Sequence, residues 1–207
     1  MPVIIRPAVQ SDIPYIYTIC LKTGDNGKDA SFLFDDPWII GQFYAAPYLF
    51  FDITCCFIAE EKGIPKGYIV GTDQSPRFYH WLEKEWLPPL RLRYPNKIDD
   101  SKQIPEAEQN LIRTIHQSAE PSGDSDSPWK TLFPAHLHID LLSDLQGKGC
   151  GRSLLELFFE NLKNRNCPGV HLGVSAANTN AIGFYKKIGF TVLEEAPWGL
   201  IMGKAIH

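Results

Sequence analysis

Gln146-Gly147-Lys148-Gly149-Cys150-Gly151-Arg152-Ser153 separates a short apolar run, residues 135–142, from an amphipathic one with Leu154, Leu155, Phe158, Phe159 and Leu162 on one helical face. Three glycines in five positions ahead of a helix leave backbone N–H groups uncovered where the helix dipole favours negative charge. The stretch therefore reads as a phosphate cradle made by Gln146, Gly147, Lys148, Gly149, Cys150, Gly151, Arg152 and Ser153. Lys148 adds charge, but backbone amides should dominate the contact. The spacing is not that of a P-loop, which needs a Gly-Lys-Ser/Thr end, and no second glycine pair completes a dinucleotide fingerprint.

Outward from this loop, strands and helices alternate. Downstream, residues 166–169 break the helix and residues 170–174 read as a strand. Asn178 caps a helix that ends at Ile188-Gly189, and two strands near 191–193 and 200–204 close the chain. Upstream, residues 3–6 form a first strand that Pro7 ends. Ser11 and Asp12 cap a helix to about Lys22, with Ile13, Ile16, Tyr17 and Cys20 on one face. A polar loop with two glycines and two aspartates spans 24–29, and aromatic helical segments follow to about Tyr48. Residues 56–60 and 67–71 flank Lys62-Gly63-Ile64-Pro65 as a hairpin.

Residues 74–130 differ in character. A short helix from Trp81 to Trp86 should stop at Pro88-Pro89, a second helix should cover 106–117, and the Ser/Asp/Gly/Pro-rich stretch 121–128 should be a mobile loop. The apolar content is thin for a separate core, so the segment reads as an insertion before the fourth strand. The expectation is one α/β domain over residues 1–207, with a mixed sheet of about seven strands flanked by helices.

Composition narrows the function classes. The chain has 207 residues, 44% of them hydrophobic and 21% charged, with a net charge of −4. That balance argues against a nucleic-acid binder but leaves room for a basic acceptor. No apolar run approaches the roughly 20 residues of a membrane span, and the N-terminus lacks a signal pattern. Cys20, Cys55, Cys56, Cys150 and Cys167 are odd in number and lack ligand spacing. They read as reduced thiols of an intracellular protein, cytoplasmic or nuclear.

Strand periodicity puts His136, His138 and Asp140 on one face and Leu137, Ile139 and Leu141 on the other. Three ionisable groups beside a phosphate loop suggest a cleft, in which His136 would contact an acceptor and His138, whose imidazole suits neutral-pH proton transfer, would be a base. The bland alternative is a buried, satisfied histidine with an aspartate orienting it. His136-x-His138 would also begin a zinc site, but no third ligand follows at a sensible spacing, and no metal is expected.

The ordered set of strand, Gln146-x-x-Gly149-x-Gly151, helix, strand, Asn178 and Phe184-Tyr185-x-x-Ile188-Gly189-Phe190 resembles that of GNAT N-acetyltransferases. It covers residues 135–204. Residues 19–30, Tyr44-Ala45-Ala46-Pro47-Tyr48 and His138-Ile139-Asp140 extend the likeness over most of the chain. There it resembles the C-terminal acetyltransferase-like domain of eukaryotic O-GlcNAcases and its free-standing microbial relatives. The likeness does not extend to the glycosidase half of those enzymes and implies no hexosaminidase activity.

The resemblance implies a GNAT fold and acetyl-CoA as cofactor, with transfer to a primary amine in a ternary complex. The backbone of Leu141 and Leu142 would pair with pantetheine, and an N–H there would polarise the acetyl oxygen. Tyr185 occupies the family's general-acid position, its alternative being a packed core tyrosine. Asn178 would bond the pantetheine arm, serve as a plain N-cap, or both. Asp140 matches an aspartate of the O-GlcNAcase-type domain and is the first choice of base, ahead of His138. Asp25 and Asp29 would recognise a cationic acceptor, or simply form a capped, solvated loop. Protein lysine and small cationic amines both fit, and neither is written in these residues. A homodimer through the late strands is compatible with the family, and a silent acyl-CoA-binding or protein-interaction module is the alternative function.

Overall fold

β-Branched and aromatic runs punctuated by turn residues give seven strands: β1 (Ile4–Pro7), β2 (Phe57–Glu61), β3 (Ile64–Thr72), β4 (Ala135–Leu141), β5 (Gly169–Ser175), β6 (Thr191–Ala196) and β7 (Gly199–Ala205). In the computed structural model, which describes residues 2–96, 104–117 and 127–207, they form one sheet in the order β1-β2-β3-β4-β5-β7-β6. The expected mixed α/β sheet of about seven strands is what is found.

All neighbours are antiparallel except β4 and β5. That parallel ladder has only two register pairs, Ala135 with Val170 and His136 with His171. Beyond them the strands part, although β4 continues to Leu141 and β5 to Ser175. The splay opens the middle of the sheet.

One face carries α1 (Ile13–Thr23), α2 (Ile39–Tyr44) and α3 (Ala46–Asp52), packed through Ile16, Ile19, Ile39 and Tyr48 onto Ile58, Tyr68 and Val70. The other carries α8 (Cys150–Asn164) and α9 (Thr179–Ile188), with Leu154, Leu155, Phe158 and Tyr185 against Ile69, Leu137 and Val170. Burying a large apolar side chain contributes about 1.5–3 kcal/mol, so these two layers supply most of the driving force.

Several local expectations change. Asp12 stands at the N-cap of α1 without capping it. Its carboxylate accepts from Arg6 Nη2 at 2.7 Å and from the Val9 amide at 2.8 Å. It ties β1 to α1, because a buried carboxylate is better satisfied by a guanidinium than by a helix amide. The hairpin turn is Lys62-Gly63 alone, both residues having positive φ, and Ile64 and Pro65 belong to β3.

Pro88 and Pro89 do not stop a helix. Residues 75–93 are helical throughout, as α4 (Ser75–Trp81), a π-turn (Leu82–Trp86) and α5 (Leu87–Arg93). The prolines sit in the first turn of α5, where a missing N–H costs little. Phe78, Leu82, Leu87 and Leu90 from this stretch, with Leu111, Ile112 and Ile115 of α6 (Glu106–His116), join the same core cluster as α1–α3. Trp81 and Trp86 pack beside it, with Trp86 Nε1 donating to the Gln42 carbonyl at 2.8 Å. A single-turn helix, α7 (Trp129–Leu132), leads into β4. Of the stretch expected to be a mobile loop, residues 121–126 lie outside the described residues.

Candidate active site

The sheet opening is a cavity of about 860 Å³. Residues 137–141 of β4 and 172–175 of β5 form its two sides. The glycine loop and Phe184, Tyr185 and Ile188 of α9 line it from one face of the sheet, and Cys20, Thr23, Ile40 and Tyr44 of α1 and α2 from the other. The space therefore runs through the sheet, as the splay requires.

Register decides which backbone groups face it. The Leu142 amide donates to the Lys66 carbonyl at 2.9 Å, continuing the β3–β4 ladder. In an antiparallel ladder, hydrogen-bonded pairs alternate, so His138 and Asp140 bond to β3 while the amides of Ile139 and Leu141 turn into the opening. Of the two backbones expected to meet pantetheine, Leu141 faces the cavity and Leu142 does not, because its N–H is already spent.

The glycine loop leads directly into α8, with Gly149 at its N-cap. Gly147 and Gly149 have φ of +72° and +83°, and a Cβ on either would meet nothing within 4 Å. Their absence of side chains is a backbone requirement that also leaves the cradle open. Gly151 differs: a Cβ there would stand 3.1 Å from Phe184 Cζ and 3.3 Å from Leu141 Cδ1, so packing demands the glycine. The first intrahelical bond of α8 runs from the Ser153 amide to the Gly149 carbonyl. The amides of Cys150, Gly151 and Arg152 precede it and have no acceptor within the helix. Arg152, Lys187 and Lys28 bring cationic side chains to the same cavity.

Other expected members are distributed as follows. Gln146, Gly147, Gly149, Gly151 and Arg152 line the cavity, whereas Lys148, Cys150 and Ser153 are not among its lining residues. Cys150 packs its buried side chain into the core, and the Ser153 amide is consumed by the helix. Asn178 does cap α9, accepting from the Ala181 amide at 3.1 Å, and also lines the cavity. Tyr185 is 9% exposed and edges the cavity. Burial pushes its phenol well above the ordinary value, aided by the Asp140 charge.

His138 and Asp140 both line the cavity, and His136 does not. His136 is a satisfied core residue. Ser75 donates its hydroxyl to the Pro134 carbonyl at 2.6 Å, so it must accept from His136 Nδ1 at 2.6 Å, and Nε2 then accepts from Tyr48 Oη at 2.7 Å. That chain fixes the neutral tautomer, and burial drives the imidazole well below its usual value. His138, edge-on to Tyr44 and Tyr48, is pushed down to about 4 by burial. Asp140 moves the opposite way: burial raises its carboxyl, and a bond from Tyr68 Oη at 2.5 Å partly opposes the rise.

The acidic loop splits. Asp25 lines a second, polar cavity of about 300 Å³ with Asn26, Lys28 and Asn178–Asn180. Asp29 instead pairs with Lys22 at 2.7 Å and accepts from the Ser31 amide, and the Lys22 ammonium lowers it to about 2. Between them, Asn26 and Gly27 both take positive φ in a tight turn closed by Asp25 and Lys28. The Asn-Gly pair is a turn signal that the sequence reading passed over. Gln146 Nε2 donates to the Leu141 carbonyl at 2.9 Å and to the Gly27 carbonyl at 3.4 Å, joining this turn to the glycine loop. Tyr68, Lys28, Lys187 and Phe184 were not singled out. Phe184 stood in the quoted motif, but cross-strand register brings Tyr68 to Asp140, and a sequence does not display register.

Among the described residues, Asp52, Cys55 and Asp73 place ligand-type atoms together. Arg165 lies among them, 2.8 Å from Asp52 and 3.5 Å from Asp73, and supplies the countercharge a metal would otherwise bring. No helix of the described residues is long and apolar enough to cross a membrane.

Residues 124–190 match the acetyltransferase (GNAT) family model. The chain is 24% identical over 185 residues, 89% of its length, to protein O-GlcNAcase of Rattus norvegicus, and spans 20% of that protein. A crystal structure of SsHAT is 31% identical with a TM-score of 0.89, all of both chains being covered. PaiA N-acetyltransferase from Thermoplasma acidophilum, solved in complex with coenzyme A, shares the fold at a TM-score of 0.59 and 14% identity, with 99% of each chain covered. Sheet order, splay, glycine loop and these likenesses agree: the chain belongs to the acetyltransferase (GNAT) family and is an acyltransferase.

Proposed function

We propose that the protein is an acetyl-CoA-dependent N-acetyltransferase that acetylates a primary amine by direct attack in a ternary complex. The observation that carries this reading is the splay of β4 from β5 beyond His136 and His171, with the glycine loop at its end. The chain's own groups fit an acyl-coenzyme A. Amides of Gly151 and Arg152, with the side chains of Arg152, Lys187 and Lys28, offer donors and positive charge to phosphates. Leu141, Phe184 and Ile188 offer an apolar wall to the pantetheine arm. The coenzyme A in the structure of the Thermoplasma protein supports the same choice of cofactor.

Acetyl-CoA, when bound, supplies an activated thioester. The Ile139 and Leu141 amides face the opening and are placed to donate to an acyl oxygen. Asp140, a carboxylate whose proton affinity burial has raised, takes the proton of the incoming ammonium, a group with an ordinary pKa of about 10.4. His138, held neutral, packs beside the acceptor space. Tyr185 keeps its proton and donates it to the departing thiolate. Alignment of the two reactants across the sheet supplies the rest, which in well-oriented systems reaches about 7–11 kcal/mol.

The acceptor enters from the α1–α2 side, past Tyr44, with the polar cavity of Asp25 beside the glycine-loop end, an arrangement suited to a protein lysine or a small cationic amine. Calorimetric titration of acetyl-CoA, with Gly149→Asp as control, tests the cofactor. Micromolar binding lost in the variant, followed by acetylation of an amine panel, supports the proposal. Tight binding without any acetylated product would favour a silent acyl-CoA-binding module, and no binding would remove the cofactor from the reading.

A further inference from the structure

This inference rests on the reading of Asp140 as base. We infer that Tyr68 is the positioning residue of that base, fixing the Asp140 carboxyl from behind and holding it as the anion. Tyr68 on β3 stands directly opposite Asp140 on β4 in a hydrogen-bonded register pair, so both side chains leave the sheet together on the α1 face. Tyr68 is 0% exposed, whereas Asp140 reaches the cavity. The phenol donates to Oδ2 of Asp140 at 2.5 Å.

The rivals for this role are already committed. Thr23 on α1 also lowers the carboxyl, less than Tyr68 does, with its hydroxyl proton directed to the Ile19 carbonyl at 2.7 Å. Cys20 on α1 reaches the Tyr68 hydroxyl, and burial keeps its thiol protonated. Tyr185 on α9 feels the Asp140 charge from across the sheet and His138 precedes it on β4, but the hydrogen bond to the carboxyl comes from Tyr68. The phenol of Tyr68 is thus the fixed O–H donor on the carboxyl. A donor to a carboxylate favours the charged form, and burial favours the neutral one. Without Tyr68 the balance shifts toward the neutral form.

Tyr68→Phe removes the hydroxyl and keeps the ring. The direct readout is the Asp140 titration midpoint, followed by carboxyl infrared or carbon NMR signals assigned by their loss in Asp140→Asn, with no turnover required. The expected result is a rise of about one to two pH units, a ten- to hundredfold gain in proton affinity. The acidic limb of kcat/KM should move by the same amount, with the acetyl-CoA Kd unchanged. Should Tyr68→Phe fold poorly, 3-fluorotyrosine at position 68, a stronger donor of the same shape, should move the midpoint down. A midpoint unmoved by these replacements overturns the role of Tyr68. A midpoint that moves while the rate profile stays put keeps Tyr68 as the partner of Asp140 and overturns instead the assignment of Asp140 as base.

Discussion

His138 and Asp140, two residues apart on one face of β4, are driven in opposite directions by the same burial: the imidazole down to about 4, the carboxyl up from its ordinary value. The usual ranking, in which histidine is the better base at neutral pH, is thereby eroded from both sides. Asp140→Asn is expected to lower kcat/KM by about 10²–10³ and to flatten its acidic limb. In the wild type that limb falls as pH drops through the Asp140 value, which burial raises from its ordinary one. His138→Gln should cost less than about tenfold and leave the limb in place. A pH–rate series on the three proteins distinguishes these outcomes.

Tyr185 edges the cavity while its phenol is held well above the ordinary value, so it is a donor at every working pH. Tyr185→Phe should lower kcat about tenfold without changing the acetyl-CoA Kd, since a thiolate leaves moderately well unaided. Pre-steady-state turnover and calorimetry together check this split.

The loop glycines should respond differently. Gly149→Ala puts a side chain at φ +83° and costs about 1–2 kcal/mol of backbone strain. Gly151→Ala keeps helical backbone but must displace Phe184 and Leu141 by a few tenths of an ångström. Gly149→Ala is therefore expected to lower Tm more than Gly151→Ala, while both weaken acetyl-CoA binding. Thermal melts and titrations of the pair measure the contrast.

Acid should unfold the protein early. His136, His138 and His171 all bind protons less readily when folded, chiefly through burial. Their unfolded forms take protons first as pH falls below about 6.5, so stability drains by up to about 1.4 kcal/mol per histidine per pH unit until the folded values are reached. Asp140, with its raised value, opposes this with the opposite sign at lower pH. Tm is expected to fall by about 5 °C or more between pH 7 and pH 5. His136→Gln, which cannot take a proton, should lessen the slope of a melt-versus-pH plot.

The sequence displayed what depends on local spacing. The glycine loop, the α9 cap at Asn178 and the period-two face of β4 all appear where their patterns put them. What it hid depends on partners far along the chain. His136 and His138 share a face, yet Tyr48 and Ser75 claim both ring nitrogens of the first and neither of the second. Leu141 and Leu142 are adjacent, yet Lys66 takes the amide of only one. The Pro88-Pro89 pair looked like a helix stop because its tolerance depends on the π-turn before it, a feature without a compositional signature.

The parting of β4 and β5 gives this sheet an edge in its interior. Open edges usually lie at the rim, where proteins blunt them against unwanted pairing. Here one lies between two folded layers, out of reach of another chain's backbone but open to a slender amide-bearing molecule. A ligand bridging it would act as a missing ladder rung, tying the half-sheet β1–β4 to the half-sheet β5–β7–β6. Amide exchange along residues 137–141 would then report occupancy, and resistance to unfolding would rise with the logarithm of ligand concentration.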